Sequence, residues 1–291
     1  MSLHILDPGA LSLIEDAGRP GFSASGVGAS GVFDRRAARI ANSLVGNDEG
    51  TAVIENLGGL RLEARRTHRI AFTGASGPAW IDDRPVDSGR AHVLHDSQVL
   101  RLGPPVQGLR WVLAVAGGIL TKTTLGSASR DTLADLGPAP LARHDLVGVG
   151  AGVGATSLEA FPSMLASGNH TLAVTLGPRD DWFRPAAIST FVSAAWTVES
   201  TSDRIGVRLD GPLLARANPH ELLSEPVVRG SVQVTNSGLP VVLGPDHPVT
   251  GGYPVIAVVA DRDLDTLAQV RPGDTIRFTR GAGFRRAPVT S

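Results

Sequence analysis

The sequence predicts a mainly β protein, folded as two barrel-like halves with a few short helices. Glycine supplies 35 of 291 residues, against the ~7% of average proteins. It is scattered rather than repeated, as many tight turns require. Short runs rich in Val, Ile and Leu recur between Gly, Pro, Asp and Ser turns, which is the pattern of strands. Only one stretch carries a clear helical period.

Taken in order, strands are expected at 3–6, 69–73, 99–102, 110–115, 172–176, 196–199, 230–234, 240–243, 255–259 and 275–279. The apolar runs 111–116 and 255–260 read as strands buried on both faces, although runs this short would also suit a helix. The helix is expected over 34–46. It opens on Asp34, sets Ala37, Ile40, Ala41 and Leu44 on one stripe, and stops at Gly46 and Asn47. Arg35, Arg36 and Arg39 fall mostly on its solvated side. A shorter helix is expected over 263–270, cut off by Pro272 and Gly273.

HDSQVLRL (95–102) and GDTIRF (273–278) echo each other as turn acid, hydroxyl residue, strand. RWVLAV (110–115) and YPVIAV (253–258) match as core strands, in the opposite order. Two barrel halves follow, at 1–165 with the helix 34–46 and at 166–291. The small-residue stretch GVGAGVGA (148–155) leads up to the division.

Composition removes several function classes. Lys and Arg number 27 against 28 Asp and Glu, a net charge of −1. No basic excess is present to release counterions from nucleic acid or to bind an anionic membrane. With no cysteine, disulfides, thiolate catalysis and Cys-ligated metal are excluded. The first residues lack a signal-peptide pattern, and the longest apolar run, 111–120, is half of the ~20 residues a membrane helix needs. A cytoplasmic protein is expected.

The usual catalytic signatures are missing: no Walker loop, no H-E-x-x-H and no G-x-S-x-G. GAGVGA (150–155) has the spacing of a dinucleotide loop, but Pro162 leaves too short a helix behind it, so it reads as a connection. His92 and His95 would face opposite sides of a strand, and no metal site is expected.

Polar residues gather instead in glycine turns. Glu15, Asp16 and Arg19 share one, where a salt-bridged structural turn is expected. Arg204 and Arg208 fall on alternating strand positions and would point the same way. Such a pair suits a carboxylate or phosphate, or equally a rung of surface charge. In DHPVTGGYP (246–254), Gly251 and Gly252 let backbone approach a ligand and expose N–H donors. Asp246 or His247 has acid–base chemistry there. A hairpin loop accounts for the same residues.

One family shares these segments in this order. The matching stretches are DAGRPG (16–21), GVGASG (26–31) with Asp34, ANSLVGN (41–47), FTGA (72–75), LAVAGG (113–118), LGS (125–127), SDRIG (202–206), GSVQ (230–233) and TGGYP (250–254). Through them, from Pro8 to Phe278, the chain resembles the allophanate hydrolase subunit 2 or biotin-dependent carboxyltransferase family. Members are largely assigned as the C-type component of the ATP-dependent 5-oxoprolinase. The resemblance implies cyclophilin-like β-barrel modules and a partner of the subunit 1 kind, which is the B-type component in the oxoprolinase. An A-type component joins them there. That complex opens 5-oxo-L-proline to L-glutamate using ATP. The related region of urea carboxylase moves carboxyl from carboxybiotin to urea, and some relatives were first described as antagonists of a kinase inhibitor.

Lys122 is the only lysine and lacks a biotinyl-lysine context, so no cofactor is expected in this chain; biotin or ATP would be handled elsewhere. On the matching positions the resemblance suggests a site. Arg204 would hold the substrate carboxylate, while Gln233, Thr250 and the amides of Gly251 and Gly252 bind lactam or acyl oxygens. Tyr253 would position or shuttle a proton beside Asp246. The chain departs from the family pattern D-x-Q-T-T-G-G-Y-P at Pro248 and Val249, where a glutamine and a threonine are lost.

Overall fold

Alternating burial along the first strands builds a core between two antiparallel sheets. The computed structural model describes residues 2–152, 168–218 and 220–281. The expected division at 165/166 and the end of the 148–155 stretch lie outside the described residues. One sheet runs, edge to edge, through Ile119–Leu120, Leu146–Val149, Ser2–Pro8, Leu60–Ala64, Val99–Leu102, Ala79–Ile81 and Arg84–Pro85. The other runs through Ser12–Glu15, Val53–Asn56, Gln107–Val115, His68–Ser76 and Ala91–Leu94. Leu3, Ile5, Leu62 and Leu100 point inward from the first at a period of two. They meet Ile54, Phe72, Trp111 and Leu113 of the second in one buried cluster.

The helix, Arg35–Val45, lies on the outer face of the second sheet. Its Ala38, Ala41 and Leu44 pack on Val53, Ala71, Val112 and Ala114, which is why the run at 111–116 is apolar on both faces. Asp34 caps it, its carboxylate accepting from Ala37 N at 2.8 Å. Gly46, at φ 80°, ends it in the left-handed turn that favours glycine.

The second half is a closed ring. Asn169–Leu176, Val255–Val259, Ser231–Val234, Pro240–Leu243, Gly206–Asp210, Trp196–Val198 and Thr275–Arg280 follow one another. Parallel pairing of the last with the first completes the barrel. Helix Pro185–Ser193 packs against it, with Phe191 stacked on Phe278 at 4.5 Å. Sequence reading missed this helix, because its β-branched residues blur the apolar stripe; Pro185 in the first turn was the available signal. The helix expected over 263–270 shrinks to a 3₁₀ turn, Asp261–Asp263, and one α-turn, Leu264–Leu267. Among the described residues no helix is long and apolar enough to cross a membrane.

The halves are tied by side chains that cross between them. Phe33 of the first half belongs to the barrel's apolar cluster, with the Arg110 guanidinium 4.4 Å over its ring. Gln269 accepts from Leu109 N and Arg110 N, both at 2.9 Å, and donates to Asp34 Oδ2 at 2.6 Å.

Candidate functional site at the junction of the halves

A short turn decides where Arg204 goes. Asp203 Oδ1 accepts from Ile205 N at 2.8 Å and Gly206 N at 3.0 Å, bending the chain just before the strand Gly206–Asp210. The strand parity assumed for Arg204 and Arg208 therefore fails: Arg208 is exposed, while Arg204 is 3% exposed and turns into the junction. There Nε meets Asp246 Oδ2 at 2.9 Å and Nη2 meets Oδ1 at 3.1 Å, a bidentate pair. Nη1 donates to Glu55 Oε1 and Nη2 to the Gly31 carbonyl, each at 2.7 Å. Glu15 Oε1 lies 3.3 Å from Nη2. All three guanidinium nitrogens are spent on protein groups, so a substrate carboxylate would have to displace one of them.

Asp246 is fully buried. Besides Arg204 it accepts from Ser30 Oγ at 2.7 Å, and from Thr132 N and Oγ1 at 3.0 and 2.8 Å. Burial would raise its pKa, but Arg204 and these hydrogen bonds outweigh it and hold the carboxyl below its ordinary value. Burial likewise works against Arg204, and Glu55, Glu15 and Asp246 together hold its charge in place. Glu15 is the opposite case. Burial pushes it well above the usual carboxylate range; Arg204 only partly offsets this, and Glu55 and Asp246 push it higher. Among the described residues neither Glu15 oxygen has a hydrogen-bond partner. Arg110 adds a second guanidinium, with Nε 3.4 Å from Glu55 Oε1.

From Asp246 the segment runs outward to the barrel surface. Thr250–Gly251 pairs with Glu225–Pro226 as a two-residue ribbon, and Arg179 clamps Glu225 with Nε and Nη2. Gln233 is buried under this ribbon and donates to the Tyr253 carbonyl at 3.2 Å. A Cβ on Gly251 would lie 2.4 Å from Gln233 Nε2, so a side chain there would have to push the Gln233 amide aside. Gly251→Ala should displace the Gln233 amide and cost about 1–3 kcal/mol. An unchanged urea midpoint would show that the floor has room.

The structure thus sorts the expected site residues into two places on one segment. Thr250, Gly251, Gly252 and the 40% exposed Tyr253 form an accessible rim, with Gln233 buried beneath it. Arg204 and Asp246 lie buried at the inner end. Sequence reading did not single out Ser30, Thr132 and Glu55 as Asp246 and Arg204 partners. Glu55 carried a signal, as an acid inside the strand Val53–Asn56 that could be buried only if paired. The turn at 15–19 also differs from expectation. Asp16 accepts from Ser127 Oγ, Ala128 N and Ser129 Oγ, and Arg19 donates to the Thr124 and Ser129 carbonyls. Asp16 and Arg19 thus dock the neighbouring loop, and the turn's acid–arginine pair is made by Glu15 with the distant Arg204.

Comparison with known proteins places this geometry. The family model "Carboxyltransferase domain, subdomain A and B" matches residues 25–280. The C-type 5-oxoprolinase component of Escherichia coli (strain K12) is 36% identical over 282 residues, covering 96% of this chain and 91% of that one. The crystal structure of TTHA0988 superposes with a TM-score of 0.87 at 36% identity, covering 96% of this chain and 55% of that one. The K. lactis urea amidolyase structure gives a TM-score of 0.89 at 28% identity, covering 96% of this chain. The chain spans just over half the length of the first of these solved proteins and 18% of the second. With the family model matching residues 25–280 of 291, this chain belongs to the carboxyltransferase domain family.

Proposed function

We propose that the chain is the C-type component of a 5-oxoprolinase, part of an enzyme complex that hydrolyses the cyclic amide of 5-oxo-L-proline to L-glutamate at the expense of ATP. The observation that carries this reading is length as much as identity. The E. coli C-type component is matched over 91% of its own extent, whereas urea amidolyase of Saccharomyces cerevisiae is matched over 16%. Lactam opening needs donors for the carbonyl oxygen as it gains charge. The rim suits that need, with the Thr250 hydroxyl, the glycine amides and the Tyr253 hydroxyl on one short segment. The buried Arg204–Asp246 pair holds the inner end of the same segment against the first half. With no phosphate-binding loop in its sequence, the chain leaves ATP to a partner of the A or B type.

The likeness to urea amidolyase supports a second reading, in which the chain carries carboxyl transfer to urea from biotin borne elsewhere. Co-expression with the A- and B-type partners separates the two. Glutamate should form from 5-oxoproline only with ATP and only when this chain is present. Absence of glutamate, with turnover of urea and bicarbonate instead, would reject the oxoprolinase reading.

A further inference from the structure

We infer that the excursion 121–145 is the face on which this chain receives the B-type partner of its complex, with Leu125 as the anchor. The identity of the partner rests on the oxoprolinase reading. On one side of the first half, each sheet ends in an edge strand, Ile119–Leu120 in one and Ser12–Glu15 in the other. The excursion leaves Leu120 and runs along the free edge of Ser12–Glu15. Leu141 N donates to the Ser12 carbonyl at 2.9 Å, Arg130 N to the Ile14 carbonyl at 3.1 Å, and Asp16 N to Ser129 Oγ at 2.8 Å.

Covering an edge strand needs no exposed apolar side chains. Yet of the ten large apolar residues exposed among the described residues, four lie on the excursion or at its ends: Leu120, Leu125, Leu133 and Leu146. A groove of about 260 Å³ opens beside those ends, lined by Leu120, Pro138, Pro140, Leu141, Leu146 and Val147. Apolar residues gathered in this way mark an interaction surface, whereas single ones do not.

Leu125 is held in a backbone conformation that leucine disfavours. Thr124 N donates to the Ser127 carbonyl at 2.8 Å and Ser127 N to the Thr124 carbonyl at 3.2 Å, closing a two-residue turn. Both central residues are left-handed, Leu125 at φ 52° and Gly126 at φ 81°. Such turns favour Asn-Gly, and a leucine Cβ there crowds its own carbonyl. The side chain is 45% exposed, so burial within the chain does little to offset the strain. The turn is held from outside: Arg19 Nε donates to the Thr124 carbonyl at 3.3 Å, and Asp16 accepts from Ser127 Oγ and Ala128 N. Strain that the surroundings over-determine marks a position kept for function.

The charges on the excursion cancel, with Lys122, Arg130 and Arg143 against Asp131, Asp135 and Asp145. A neutral apolar face suits another protein and not nucleic acid or an anionic membrane. In TTHA0988 the matched unit is 55% of one chain, so a unit of this kind is joined there to nearly as much chain again. The E. coli C-type component is matched over 91% of its length, so there the unit is a separate chain and must meet the rest of its complex through a surface.

Leu125→Asn decides the matter because its two expected effects have opposite signs. In the isolated full-length chain, relief of the left-handed strain should raise Tm by roughly 2–4 °C. In the complex co-expressed with the A- and B-type partners, dissociation on dilution should show affinity lower by about 10–30-fold. Leu146→Ser should also weaken association. Val93→Thr, exposed on Ala91–Leu94 at the opposite edge of the second sheet, should match the wild type. Leu125→Gly carries the same expectation as the asparagine variant if that variant fails to fold. Wild-type affinity in the Leu125 and Leu146 variants would overturn the inference, whether or not the complex makes glutamate. A lowered Tm in Leu125→Asn would make the residue structural and overturn its role as anchor. Weaker self-association of the isolated chain, with partner binding unchanged, would make the face a contact between copies and overturn the inference too. A wild-type complex that assembles without making glutamate rejects the oxoprolinase reading, and the affinities still decide the docking face. Partners that never bind the wild type overturn both.

Discussion

Replacing Arg204 with alanine should destabilise the protein by about 3–5 kcal/mol, the usual consequence of breaking a buried ion pair from one side. The loss follows from what the guanidinium serves. Asp246 would lose its bidentate partner, Glu55 the 2.7 Å bond to Nη1, and the Gly31 carbonyl its donor. Arg110, with Nε 3.4 Å from Glu55 Oε1, would be left facing that carboxylate without Arg204 beside it. Arg204→Lys should recover only part of the loss. An ammonium restores the charge but cannot fork across Asp246 while reaching Glu55 and Gly31. Urea denaturation of both variants checks this. Unchanged stability with a raised KM for 5-oxoproline would instead make Arg204 a substrate anchor, the role its sequence position suggested.

Glu15→Gln should remove a fall in stability at rising pH. The folded pKa of Glu15 is raised above the unfolded 4.5, so folding takes up a proton in the window between them. The stabilisation is fully present below pH 4.5 and is lost as pH rises through the folded value. Within that window the wild type loses about 1.4 kcal/mol per pH step of one, and the isosteric glutamine does not. Asp34, raised by burial from 3.8 to about 6, adds a slope of the same sign in both proteins. The difference between the two curves is therefore the readout. Parallel curves would mean that Glu15 is ionised in the fold.

Both predictions concern residues whose importance is set by distant partners, and that marks the limit of what sequence shows here. Helix Arg35–Val45 was legible because its cap, stripe and glycine stop all lie within one short window. The strands Val99–Leu102, Pro240–Leu243 and Val255–Val259 were legible from apolar runs and turn residues. The strands Ser12–Glu15 and Val53–Asn56 were not, since each places a glutamate among apolar residues and so breaks the pattern. The acids are tolerable only because Arg204 comes to lie between them, 149 residues beyond Glu55. The motif positions from DAGRPG to TGGYP were enough to indicate the family, and they marked 246–254 as a segment of interest.

By itself, then, the sequence determined the β-rich class, the capped helix, the family and the glycine rim before Tyr253. Only the tertiary structure decided that Arg204 and Asp246 are a buried tie and that burial pushes Glu15 well above the usual carboxylate range. The physical reason is range. Periodicity and turn chemistry act over a few residues, whereas burial and charge neutralisation depend on which distant groups the closed barrel brings against the paired sheets.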